Sequence, residues 1–252
     1  MSLKIKKVLI SQPEPKTEKS PYFDIAEKYN LQMEFRSFIR VESVDVKEFR
    51  QQRINIPDYT AIVFTAKIAI DNFFKLCEEL RITMPETMKY FCISEAVALY
   101  LQKYIVYRKR KIFFSASGKM DGLAIPLTKH SKEKFLVPVS DVHQEDLTKI
   151  LDEKKIGYSK SIMYRTVSND ITEEEIMSYD MLVFFTPSGI VSLFKNAPNF
   201  RQEERAIGCF GASTAKAIRD ANLRLDCEAP LPGMPSMTAA LETFIRENHK
   251  KK

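Results

Sequence analysis

The side chains best placed to grip a ligand are hydroxyls sitting where apolar runs give way to helix-period segments. Thr65 ends the run Ala61-Ile-Val-Phe64 and leads into Ala66 and Lys67; Thr186 ends Met181-Leu-Val-Phe-Phe185 and leads into Pro187, Ser188 and Gly189. Ser94 and the segment Gly211-Ala-Ser213-Thr214 open two further helical stretches. The first N–H groups of a helix have no intrahelical partners, and the helix dipole adds to their pull on an anion. A Ser or Thr at such a point has two readings, a cap on its own helix or a donor to a bound anion. Four such points in one chain suit a ligand rich in carboxylates.

Other chemistries lack their residues. No GxGxxG follows a strand and no GxxxxGK[ST] occurs, so nucleotide phosphate binding has no motif behind it. There is no GxSxG elbow, and three histidines do not supply a Ser/His/Asp set. No His stands at ligand spacing from another His or Cys, so no metal site is expected. Gly118-Lys119-Met-Asp-Gly122 lacks the strand and spacing of a phosphate loop and reads as a turn before a helix. Cys77, Cys92 and Cys227 lie in apolar stretches, with Cys209 the fourth cysteine, and no CxxC pair occurs. That is the pattern of buried free thiols in a reducing cytosol.

These positions are held by alternating apolar runs and amphipathic segments, the mark of an α/β protein. Val8-Leu-Ile10, Ala61–Phe64, Ile112-Phe-Phe114, Phe135-Leu-Val137 and Met181–Phe185 read as strands buried on both faces, as in parallel sheets. Ala69, Phe73, Leu76 and Leu80 form one helical stripe, and Val97, Tyr100, Leu101 and Tyr104 another. A third stripe, Leu147, Ile150 and Leu151, is expected to close at Gly157 as its left-handed residue. Ser236 is expected to cap a last helix that buries Met237, Ala240, Leu241, Phe244 and Ile245.

The chain also repeats itself. Asp58–Phe73 resembles Tyr179–Phe194, with Phe64-Thr65 set against Phe185-Thr186 at an offset of 121 residues. Cys92–Leu101 resembles Cys209–Ile218 at an offset of 117. One duplicated α/β unit, and hence two similar domains, accounts for both.

Composition narrows the classes. With 252 residues, 44% apolar and 29% charged, the chain is an ordinary soluble globular protein of one large or two compact domains. It has no apolar run near the ~20 residues of a membrane span and no secretory start, so a cytoplasmic location is expected, away from membranes. The net charge of +6 is spread along the chain except at Arg108-Lys-Arg-Lys111 and the Lys250–Lys252 tail. These read as solvated loop and terminus, so nucleic acid is not the expected partner.

Several segments, taken in order, resemble the uroporphyrinogen-III synthase family. They are Phe64-Thr-Ala-Lys-Ile-Ala-Ile70, Met163-Tyr-Arg-Thr-Val167, Phe185-Thr-Pro-Ser-Gly-Ile-Val191, Phe210-Gly-Ala-Ser-Thr-Ala-Lys-Ala-Ile218 and the stretch from Glu228-Ala-Pro to Ser236-Met-Thr-Ala-Ala-Leu241. The resemblance implies an α/β fold of two similar flavodoxin-like domains with parallel sheets, joined by a two-stranded linker. It places residues 1–37 with 168–252 in one domain and 42–163 in the other. The linker strands fall near Phe38–Val41 and Met163–Val167, and Tyr164 faces a cleft between the domains.

The same resemblance implies a hydro-lyase acting, as a monomer and without a cofactor, on hydroxymethylbilane, a linear tetrapyrrole with eight carboxylates. That substrate loses its terminal hydroxyl and closes with ring D inverted, through a spiro intermediate. Hydroxide leaves poorly unless protonated. Tyr164 is the implied acid or orienter of the leaving group; its other reading is a strand tyrosine with a satisfied hydroxyl. Gln12, Thr65, Ala66, Lys67, Ser94, Lys119, Thr186, Ser188, Gly189, Ser213 and Thr214 are the implied carboxylate-binding set. This chain departs from the family's Thr-Arg-Pro with Ser11-Gln12-Pro13, and from its Pro-Arg-Gly-x-x-Gly-Arg with Pro138-Val-Ser-Asp-Val-His-Gln144. It also loses a threonine at Ser94-Glu-Ala-Val97-Ala98. With the arginines gone, Lys67, Lys119 and Lys216 either meet carboxylates or are plain surface charge. A non-catalytic two-domain protein binding a small polyanion is the alternative these departures keep open.

Overall fold

The computed structural model describes residues 4–17, 19–143 and 145–249; Gln144 and the Lys250–Lys252 tail lie outside them. The chain forms two compact units. One holds the residues up to Arg40 and from Val167 onward, the other Val41–Thr166.

The first unit opens with β1 (Lys7–Ile10), α1 (Pro21–Tyr29) and β2 (Gln32–Phe35), and the chain leaves it through β3 (Ile39–Ser43). The second contains α2 (Val46–Gln51), β4 (Ala61–Phe64), α3 (Lys67–Glu79), β5 (Lys89–Cys92), α4 (Glu95–Tyr100), β6 (Ile112–Phe114), α5 (Ala124–Lys129), β7 (Phe135–Ser140) and α6 (Asp146–Glu153). The long β8 (Tyr158–Ser168) returns the chain to the first unit, completed by α7 (Glu173–Met177), β9 (Met181–Phe184), α8 (Pro187–Asn196), β10 (Ala206–Phe210), α9 (Ala212–Asp220), β11 (Cys227–Ala229) and α10 (Met237–His249).

The first sheet runs β11-β10-β9-β1-β2 and the second β3-β8-β7-β4-β5-β6. The pairs of the first sheet are parallel, as are those from β8 to β6 in the second. β3 runs antiparallel to β8, with the Val44 N–H on the Met163 carbonyl at 3.0 Å and the Asn169 N–H on the Phe38 carbonyl at 2.9 Å. In chain order the first sheet is 2-1-3-4-5, the flavodoxin-like order. Counted instead from β4 and from β9, where the sequence repeat begins, the parallel part of both sheets reads 3-2-1-4-5. The two units are therefore one topology cut at different points. In each, the strand order reverses beside the repeat's first strand, at β4/β7 and at β9/β1.

The central strands are buried on both faces because alternate residues feed two cores. In the second unit Ile62 and Phe64 of β4 pack with α3 and α4 residues, while Ala61 and Val63 pack with Leu127 of α5 and Leu147 and Leu151 of α6. In the first, Leu182 and Phe184 of β9 pack with Ile190, Leu193 and Ile218; Met181 and Val183 pack with Ile25, Met237 and Leu241. The edge strand β6 buries only Ile112 fully. All four thiols are buried, Cys209 included, and desolvation pushes them up to about 11 for Cys209 and about 12 for the other three. At neutral pH they are protonated and poor nucleophiles.

The helix ends follow local chemistry, with one correction. Ser236 caps α10 by accepting the Ala239 N–H at 3.2 Å. α6 does not close at Gly157: Lys155 takes the left-handed position at φ 55°, and the Ile156 N–H returns to the Leu151 carbonyl at 2.9 Å. The 6→1 bond ends the helix before the chain reaches the glycine. Arg108 to Lys111 is not merely a solvated run. Lys109–Lys111 forms a 3-10 turn, Arg108 pairs with Glu86 at 2.8 Å, and the Lys111 ammonium bonds the Glu86 carbonyl. Among the described residues no helix is long and apolar enough to cross a membrane, and no three His, Cys, Asp or Glu side chains are grouped to hold a metal ion.

Candidate active site

Open parallel sheets bind ligands beyond the carboxyl ends of their strands, where the strand order reverses. In the second unit that place holds a cavity of about 290 Å³. Thr65 and Ile93 reach it from the ends of β4 and β5, Val137, Val139 and Ser140 from β7, and Tyr164 from β8. Met120, Val142, His143, Leu147 and Thr148 complete the wall. A larger, mainly apolar hollow of about 440 Å³ lies around Met84, Met88 and Tyr104. It sits at the opposite, amino-terminal end of β5 and β6, away from the strand reversal, so the smaller cavity is the better candidate.

Thr65 owes its place there to a one-residue slip in the repeat. β4 and β9 end at Phe64 and Phe184, and the N-caps of the following helices are Ala66 and Thr186. The structural offset is thus 120, and the Phe64-Thr65/Phe185-Thr186 match seen in sequence is out of register; the later offset of 117 holds, with caps at Ser94 and Gly211. Thr186 therefore caps α8, accepting the Gly189 N–H at 3.2 Å, with Pro187 at the first helical position. Thr65 is no cap. It is half-buried, and α3 starts without a side-chain cap, leaving the Lys67 and Ile68 N–H groups as first-turn donors.

Tyr164 is placed by a register shift. Val139 faces Ile162 across β7 and β8, but Ser140 faces Tyr164, so Met163 is the extra residue. Such bulges re-aim side chains and gather near active sites. Both Met163 and Tyr164 end up buried, and burial raises the Tyr164 phenol above its ordinary value. Among the described residues no side chain or carbonyl hydrogen-bonds the Tyr164 hydroxyl.

The remaining candidates are spread over both units. Ser94 caps α4 through the Val97 N–H at 3.4 Å, next to cavity residue Ile93. Lys119 is exposed beside cavity residue Met120, its N–H on the Ser117 hydroxyl at 3.3 Å. Lys67 is exposed with its ammonium 5.3 Å from the Tyr100 ring centre, and Lys216 pairs with Asp220 at 2.5 Å. In the first unit Gln12 is half-buried just past β1, where the Ser11 N–H bonds the Val183 carbonyl at 2.9 Å. Ser188 is half-buried at the start of α8. Gly189 is buried, its N–H is taken by Thr186, and a Cβ would lie 3.2 Å from the Phe184 ring, so it serves packing. Ser213 is exposed at the start of α9, which Gly211 opens at φ 93°, a backbone that L side chains rarely adopt. Thr214 points inward, its hydroxyl buried without a partner among the described residues.

Sequence reasoning missed three groups. Phe185 and Phe210 stack at the carboxyl ends of β9 and β10 with ring centres 6.3 Å apart, and Phe210 is exposed. His143 lies in the wall of the second unit's cavity. Its only sequence signal is its place three residues past the β7 run, where the family pattern carries glycine just before its second arginine.

The fold has solved counterparts. A uroporphyrinogen-III synthetase from Helicobacter pylori is similar at 17% identity, over 96% of this chain and 100% of that one, with a TM-score of 0.60. A triply substituted uroporphyrinogen III synthase from Thermus thermophilus is similar at 16% identity, over 98% and 100%, with a TM-score of 0.56. No curated protein sequence is significantly similar to this chain. The family model described as uroporphyrinogen-III synthase HemD matches residues 23–239, taking in strands of both units, and the chain belongs to the uroporphyrinogen-III synthase family.

Proposed function

We propose that this protein is a lyase that removes water from hydroxymethylbilane and closes it, with ring D inverted, to uroporphyrinogen III. The observation that carries the reading is the cavity at the β4/β7 strand reversal, holding a phenol with no partner among the described residues, in a chain of this family. At about 290 Å³ it is below the usual size for a whole drug-sized ligand, so it takes only one end of the bilane. The reactive end is the one that benefits. Loss of hydroxide needs a proton donor and a dry wall, and the azafulvene-like cation that forms must be held so that inverting attack outruns end-to-end closure.

The chain's own residues supply those needs in separate places. Apolar Ile93, Val137, Val139 and Leu147 exclude water around the hydroxymethyl group. The Tyr164 hydroxyl, which has no partner among the described residues, hydrogen-bonds the departing oxygen. Substrate carboxylates next to the reactive end meet the first-turn N–H groups of α3, with Lys67 and Lys119 in place of the family's arginines. The reaction changes no oxidation state overall, so the chemistry asks for no redox cofactor.

Protein added to fresh hydroxymethylbilane should consume it well above the spontaneous rate. Tyr164→Phe should lower kcat roughly tenfold, as expected for loss of one orienting hydrogen bond of about 1.4 kcal/mol, with the melting temperature nearly unchanged. Consumption at the spontaneous rate would refute the reading, and unchanged kinetics in Tyr164→Phe would remove the tyrosine from the site.

A further inference from the structure

We propose that His143 is the proton donor to the leaving hydroxyl, an assignment that rests on the cyclodehydration reading above. Among the described residues that line the cavity, His143 and Tyr164 are the two whose side chains titrate; the others are apolar or bear an aliphatic hydroxyl. Burial makes Tyr164 a weaker acid than an ordinary phenol. A general acid works best when its proton affinity matches the working pH, and imidazole is the side chain that exchanges protons near neutrality. The division of labour follows: Tyr164 orients, His143 donates.

The surroundings are built for proton exchange. His143 follows β7 on a loop pinned by Asp141, whose carboxylate accepts the Val142 N–H at 2.9 Å and the Thr166 N–H at 3.1 Å. Its Nδ1 lies 2.7 Å from the Ser140 carbonyl oxygen, which can only accept, so Nδ1 carries a hydrogen. Nε2 lies 3.3 Å from a Glu145 carboxylate oxygen and 3.4 Å from the Lys160 ammonium, and Lys160 reaches Glu145 at 3.0 Å. As imidazolium, Nε2 donates to Glu145; as neutral imidazole, it accepts from Lys160. Both charge states find a partner in place, so the ring can release and regain a proton without the loop moving. Hydrogen bonds from Thr148 and then Lys160 hold the Glu145 carboxyl below the usual carboxylate range and keep it charged. Among the described residues, Glu145 before α6 and Lys160 on β8 are the charged groups against the ring, and Tyr164 on β8 shares its cavity wall.

The step balances. The Nε2 proton passes to the oxygen of the terminal hydroxymethyl group, and the C–O electron pair leaves with that oxygen as water. The pyrrole nitrogen lone pair moves in through the ring to give the azafulvenium cation. The methylene carbon of this cation bonds to the ring D α-carbon that already carries the bridge from ring C, giving the spiro centre; that older bridge bond then breaks, leaving an azafulvenium on ring C whose carbon bonds to the free α-carbon of ring D. The proton lost there as the pyrrole regains aromaticity returns to Nε2, and only water is released.

The test is steady-state kinetics of the full chain on hydroxymethylbilane across pH. Wild-type kcat should fall as pH rises, the limb that general-acid catalysis gives. His143→Gln should lower kcat about 100-fold or more, leave KM within about threefold and lose that limb. Added imidazole should restore part of the turnover of His143→Ala, while Tyr164→Phe keeps the limb. Two results would overturn the assignment and leave the cyclodehydration reading standing. One is a His143→Gln enzyme within about threefold of wild type with the same pH profile. The other is a slow variant that keeps the limb while His143→Ala shows no rescue, the mark of a structural role. A wild-type protein that does not accelerate closure would overturn both.

Discussion

Thr65→Phe is expected to lower turnover of hydroxymethylbilane by about 100-fold or more while melting within roughly 2 °C of the wild type. Thr65 stands at the mouth of β4 in the wall of the β4/β7 cavity, and its hydroxyl caps no helix. A phenyl ring there fills space that the reactive end of the bilane must enter. Displacing a reacting group by about 1 Å can cost 10²-fold. Stability should barely change, because the position is half-buried and outside both cores; substitutions of that kind fall within about 0.5 kcal/mol. Wild-type kinetics in a folded Thr65→Phe protein would mean that the substrate's reactive end lies elsewhere. The change in rate per change in melting temperature is the informative quantity.

Phe64→Ala should have the opposite profile. Phe64 is the last residue of β4 and fully buried. Its ring meets Phe73 edge-on at 5.5 Å and stacks with Tyr90 at 6.4 Å and Phe74 at 6.5 Å. Removing it leaves a cavity that rigid neighbours on a central strand cannot close, at a cost of about 3–5 kcal/mol. For a unit of this size the melting temperature should drop on the order of 10 °C. Val191→Ala, on the exposed face of α8, is the control and should hardly shift it. A drop of less than about 3 °C for Phe64→Ala would show that the second unit's core does not depend on this aromatic cluster.

The sequence made the central strands readable because they are buried on both faces. β1, β4, β7 and β9 are short apolar runs for that physical reason. The edge strand β2, Gln32-Met-Glu-Phe35, carries polar residues and gives no such run; β11 has only three residues. Helix starts were legible where a hydroxyl caps, as at Ser236. Helix ends were not, because a chain with seven glycines puts Asn30, Arg81, Lys155 and Asn222 at left-handed positions instead.

The site divides in the same way. Thr65 and Tyr164 stood out by position and by family resemblance, and both line the cavity. Whether a hydroxyl serves as a cap or stays free depends on a single residue of register: Thr186 caps and Thr65 does not, although their sequence contexts match. His143 could not be picked out, because its meaning comes from β7 lying next to β4, a pairing between residues more than seventy positions apart. A lone histidine without neighbours at ligand spacing carries no local signal of that.

The isomer composition of the product is the most direct test of the central claim, that this chain steers the bilane into the inverted ring closure. With protein in excess over freshly generated hydroxymethylbilane, oxidation and chromatography of the product should show the type III porphyrin as the main species. The type I isomer, in the proportion that forms without protein, would contradict the account.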